Sequence, residues 1–80
     1  MNEPVLVTWV DSTSRGGWLQ TEDAKEWAID HKLLCETVGF VLVAGEDRLT
    51  VIQSRAKDGE LVGEMLTIPR RSIVSIRWLQ

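Results

Sequence analysis

A small five-stranded antiparallel β-barrel carrying one short N-terminal helix is the fold this sequence predicts. Three observations predict it. The last forty residues alternate β-rich runs with turn signals, and they finish with Leu66 to Ile68, a turn opened by Pro69, and a final run from Ile73 to Leu79. Most β-rich runs are separated by a few residues only, which joins neighbours antiparallel. Gly39 stands inside the longest run, where glycine marks a sharp bend or bulge. A strongly bent sheet of this size closes on itself and removes most of its edges.

The elements follow in order. Val5 to Val10 is β-rich and bounded by Pro4 and by Asp11-Ser12, which makes it the first strand. Asp11 to Gly17 is a polar loop ending in Gly16-Gly17. Thr21 reads as a helix N-cap, with Glu22 and Asp23 placed where the helix dipole favours acids. Ala24, Trp27 and Ala28 recur at helical spacing, so residues 22–31 are expected to form a helix with Trp27 turned inward. About three turns are marginal alone, so this helix is expected to dock on the sheet.

Lys32 to Ala44 is the long second strand, with Leu34, Val38, Phe40 and Leu42 on one side and Glu36 as the exception. Gly45-Glu46-Asp47 is a hairpin turn, and Arg48 to Arg55 is the third strand. Lys57-Asp58-Gly59-Glu60 carries an Asp-Gly hairpin signal. Leu61 to Ile68 is the fourth strand, and Pro69 to Ser72 is a turn with the character of one 3₁₀ turn. Ile73 to Leu79 is the fifth strand.

The chain has 80 residues, enough for one domain with a small core. Cys35 is its one cysteine and His31 its one histidine, so an internal disulfide and a Cys/His zinc site are both excluded. Such a core must suffice unaided or gain from a second chain, and a homo-oligomer is the expectation. The N-terminal residues lack a basic region and a long apolar stretch, and no run approaches bilayer length. With the lone cysteine, this points to the cytoplasm. The formal charge is −3. Residues 1–40 hold seven acids and three bases, residues 41–80 five acids and six bases. That balance argues against a general nucleic-acid binder.

Five residues stand out as ligand- or partner-binding candidates: Arg15, Trp18, Arg70, Arg71 and Arg77. The last three form the one basic cluster, suited to phosphate or RNA, or to a solvated turn that keeps a sheet edge soluble. Trp9, Trp18, Trp27 and Trp78 suit either a stacking platform for a base or core and interface packing. Trp18 differs from the others because it follows a Gly-Gly loop, and loops on rigid scaffolds carry binding residues. The loop from Asp11 to Arg15 suits an anion or a turn that satisfies its own backbone.

Cys35 needs a base to act as a nucleophile, and no spacing places His31 beside it. Glu22, Asp23 and Glu26 form a solvated helix face more simply than a catalytic carboxylate pair. There is no phosphate-binding glycine loop and no metal-ligand spacing. No enzymatic activity, metal or cofactor is therefore expected.

Three pieces carry a resemblance: Val7-Thr8-Trp9-Val10-Asp11-Ser12 leading to Gly16-Gly17-Trp18, then Glu36-Thr37-Val38-Gly39-Phe40, then Ile68-Pro69-Arg70-Arg71 with Ile73 and Ile76. Over most of its length the chain resembles a family of small uncharacterised proteins of tailed bacteriophages and prophages. That family offers no established activity to carry over. The strand order and the turn before the last strand also resemble Sm-like small barrels, related in shape to Src-homology-3-like barrels. Sm-like barrels form rings and often bind RNA, but their RNA-binding signature is absent here and the chain is acidic. Fold likeness does not transfer function.

The resemblance, the absence of catalytic motifs and the surplus of tryptophan together lead to the expectation of a non-enzymatic binding module of a phage or prophage, acting in the host cytoplasm. Such a module would bind a host protein or sequester a small ligand, for example to blunt a host defence. Two other readings stand beside it: an Sm-like binder of RNA or single-stranded DNA, and a phage structural or assembly component.

Overall fold

The computed structural model of the protein describes residues 3–79. Its elements are β1 (Pro4–Asp11), α1 (Thr21–Asp30), β2 (Leu33–Ala44), β3 (Arg48–Ala56), β4 (Leu61–Pro69) and β5 (Ile73–Trp78). Single 3₁₀ turns at Lys57–Gly59 and Arg70–Ser72 link β3 to β4 and β4 to β5. The strands form one sheet in the order β4-β3-β2-β1-β5, with every neighbouring pair antiparallel. β4 and β5 are its outer strands and do not pair with each other. The sheet is therefore open at that seam.

Val5 and Val7 alternate onto the inner face of β1, where they are fully buried with Leu49, Val51 and Ile68. Trp9, Val41, Leu66 and Ile73 pack against this cluster. Burial of each large aliphatic side chain contributes about 1.5–3 kcal/mol, so a core this small leaves little margin. Trp9 satisfies its indole by donating from Nε1 to the Thr37 hydroxyl at 3.0 Å, which allows a polar ring edge to sit beside the core.

The inner face of β2 is not the one its apolar residues suggest. Val5 pairs with Gly39, Val7 with Thr37 and Trp9 with Cys35, so the odd-numbered positions face the core. Leu34 and Val38 belong to the opposite, outward face and are exposed. The ladder between β2 and β3 slips between Val41 and Val43, where Leu42 is the extra residue. Gly39 has a different task from the bulge expected there. A Cβ on it would lie 2.7 Å from the Ile52 carbonyl oxygen, so glycine lets β3 approach β2 closely. A second slip, between Thr8 and Trp9, leaves Val74 of β5 without a partner residue.

The turns are tied to one another. Arg70 N–H donates to the Asp47 carbonyl at 2.8 Å, and Arg70 Nε donates to the Gly45 carbonyl at 3.0 Å. The β4–β5 turn is thus pinned to the β2–β3 turn. At the β3–β4 turn the left-handed residues are Lys57 and Asp58 as well as Gly59, with φ of 53°, 55° and 91°. Aspartate tolerates that region better than most side chains.

The helix departs most from expectation. β1 and β2 pair without interruption from Pro4–Phe40 to Asp11–Leu33, as the two legs of one hairpin. Everything between them leaves the sheet at the hairpin end as an arm. α1 buries no residue and makes no extensive contact with any strand. Its N-cap position is Gln20, extended and without a side-chain cap, and Thr21 is already its first residue. Trp27 is half-buried and lies against its own arm. The chain is accordingly long and thin, 55 × 23 × 22 Å. Among the described residues no helix is long and apolar enough to cross a membrane.

Candidate functional site

The arm is built from short-range interactions. The Asp11 carboxylate accepts from Ser12 N–H at 2.8 Å, so this turn satisfies its own backbone. Gly17 has φ of 89°, a conformation that suits glycine and redirects the chain. The next residue, Trp18, is 101% exposed. The chain then folds back so that Arg15 to Leu19 face Ala24 and Trp27 of α1 across a cavity of about 310 Å³. Arg15 and Trp18 are therefore brought together, in a cup with an aromatic floor at Trp27.

Further along α1, the Trp27 and His31 rings stack with centroids 4.7 Å apart and planes at 15°. His31 is the C-cap residue and its N–H donates to the Trp27 carbonyl at 2.9 Å. Its ring is thus engaged on Trp27. Cys35 is half-buried, with Sγ 4.0 Å from the Leu33 carbonyl oxygen. The lone ion pair of the helix, Lys25 with Glu22 at 3.4 Å, is solvent-exposed and of little weight.

The sequence did not single out Ile29 and Leu33, which are exposed on or beside the arm together with Leu34. The signal was present: Ile29 lies off the Ala24–Trp27–Ala28 stripe, so no single helix face collects every apolar residue.

The arginines at the other end separate. Arg70 and Arg71 line a cavity of about 390 Å³ with Glu46, Asp47 and Pro69, so two acids stand beside two bases. Arg70 also lines a groove of about 400 Å³ with Val41, Ala44, Leu49, Ile76 and Trp78. That groove is apolar apart from the one guanidinium. Arg77 pairs in register with Leu6, on the face opposite Val5 and Val7, and lines neither space. The three-arginine cluster of the sequence is thus a pair at a turn plus one residue on the other face.

Of the four tryptophans, Trp9 lies against the core, Trp27 stacks within the arm, and Trp18 and Trp78 are exposed at different places. They do not build one platform. Among the described residues no group of three His, Cys, Asp or Glu side chains could hold a metal ion. Comparison with protein-family models, curated proteins and solved structures finds no match.

Proposed function

We propose that this protein is a non-enzymatic binding module that grips a protein partner with its arm. The observation that carries this reading is the fully exposed Trp18 on an arm that the sheet holds out into solvent. Tryptophan is among the residues that most often dominate binding energy at interfaces, and leaving it in water has no benefit to folding. Arg15 beside it supplies a charged rim to the same cup. The resemblance to small phage and prophage proteins fits a host protein as the partner, met in the host cytoplasm and blocked to blunt a defence.

The module is further proposed to self-associate. Its core is small, and the outer strands β4 and β5 leave Leu61, Met65, Val74 and Trp78 exposed. Edges of that kind favour association, and pairing them would complete a barrel-like closure.

The test is affinity capture from host lysate with the wild type, Trp18→Ala and Arg71→Ala, followed by binding of the purified partner. A partner retained by wild type and Arg71→Ala but lost by Trp18→Ala supports the arm. Equal retention by all three rejects it.

A second reading has its own observation, because Arg70 and the exposed Trp78 line one groove. A cation beside an indole suits the backbone and bases of single-stranded nucleic acid. It predicts steeply salt-dependent binding of oligonucleotides, and absence of binding at low salt ends it.

A further inference from the structure

We propose that Trp18 of one copy seats in the groove of a second copy formed by Val41, Ala44, Leu49, Ile76 and Trp78, with Arg70 at its rim. The inference rests on the reading of Trp18 as an anchor, and it names what that anchor meets when no host protein occupies it.

Both halves of the contact are on this chain. The donor is a fully exposed indole on a glycine-set loop. The acceptor is an apolar groove of about 400 Å³ whose Leu49 floor belongs to the core and whose Ile76 and Trp78 walls are exposed. A buried aromatic in an apolar pocket is the usual centre of an interface.

Charge favours the contact at one point. Asp23 stands on the first turn of α1, a few residues beyond Trp18, while Glu22 beside it is paired with Lys25. Arg70 is the one charged residue lining the groove, held in place by its bonds to the Gly45 and Asp47 carbonyls, and Arg71, Glu46 and Asp47 lie in the neighbouring space. Opposite charges flanking an apolar contact fix its register and favour encounter.

Length decides that the partner is another copy. The arm leaves β2 at Leu33, whereas the groove takes Ala44 from the other end of the same strand. Twelve residues of strand separate the two by on the order of 35 Å. Trp18 is therefore out of reach of its own groove. Two copies lying antiparallel satisfy both contacts at once, because a two-fold axis makes each the donor and acceptor of the other. The exposed outward residues Leu34 and Val38 lie on the strand between the two ends.

Sedimentation equilibrium over a dilution series tests this on the full chain. The expected result is a wild-type dimer, with Trp18→Ala weakening association at least roughly thirtyfold, the effect of losing a hot-spot residue. Arg71→Glu, which leaves the Arg70 tie to Gly45 intact, should weaken it too, more strongly at low salt. For placement, Leu19→Cys and Ala44→Cys chains, each also carrying Cys35→Ser, are mixed and oxidised. The linked species should be the mixed dimer, in excess over either self-linked one. A monomeric wild type, a dimer that Trp18→Ala leaves intact, or random cross-linking overturns the inference. The arm reading fails separately, when Trp18→Ala leaves capture of a host protein unchanged.

Discussion

Gly39 and Ile52 meet more closely than any side chain would allow: a Cβ on Gly39 would sit 2.7 Å from the Ile52 carbonyl oxygen. The same Cβ would lie 3.3 Å from the Val51 side chain. The obstacle is backbone of the adjoining strand, which cannot swing aside as a flexible side chain would. This contact sets how tightly β2 and β3 lie together at the middle of the sheet.

Gly39→Ala should therefore destabilise the fold by about 1–3 kcal/mol, the usual cost of forcing extra atoms into a packed interior. Urea unfolding followed by tryptophan fluorescence measures it. An unchanged midpoint would mean that β3 yields without strain.

Trp18→Ala should leave the unfolding midpoint of the monomer within about 0.5 kcal/mol of wild type, as for a surface change without partners. Removal of a tryptophan side chain would ordinarily be felt. The prediction is specific to full exposure, and a loss of 2 kcal/mol or more at high dilution would place Trp18 in a packed environment.

Ile68→Ala makes the contrasting case. Ile68 is fully buried against Val5, Val7, Leu49 and Val51, so its truncation should cost about 2–5 kcal/mol. For so small a core, that is enough to leave the chain largely unfolded at room temperature, visible as loss of near-ultraviolet circular dichroism.

Arg70→Ala removes the bond from Nε to the Gly45 carbonyl and should destabilise by roughly 1.5–3 kcal/mol, the range for a charged donor. Arg70→Lys keeps the charge but not the planar fork and should not restore it. Arg71→Ala should be neutral, since Arg71 is exposed. Hydrogen exchange at the amides of residues 45–48 reads the same tie locally, with faster exchange expected for Arg70→Ala alone.

Much of the sheet was legible in the sequence. Each strand came within a few residues of its place because turn residues punctuate the chain: Gly45 to Asp47, Lys57 to Glu60, and Pro69 to Ser72. The outward face of β2 misled because Leu34, Val38 and Leu42 form an apolar set, while the inner positions are Cys35, Thr37 and Gly39. Glycine there contributes proximity in place of bulk, which composition does not register.

The helix misled for a different reason. Ala24, Trp27 and Ala28 resemble a core-facing stripe, but that stripe is used inside the arm, by the Trp27–His31 stack and the loop from Arg15 to Leu19. Whether a helix reaches a sheet depends on the register of the flanking strands. Pairing of β1 and β2 out to Asp11–Leu33 carries α1 past the sheet end, and no local pattern encodes that length. Arg70, Arg71 and Arg77 looked like one cluster because they fall within eight consecutive positions, yet the alternation of β5 turns Arg77 to the other face.

The pairing of Asp11 with Leu33 has a consequence for how such a molecule can change over evolutionary time. It works as a suture: two strands meet there, and whatever is stitched between them is invisible to the ladder beneath. Lengthening, shortening or replacing the 12–32 segment changes the arm without asking the sheet to refold. Arm and sheet are separable parts, so a lineage can rewrite one while keeping the other.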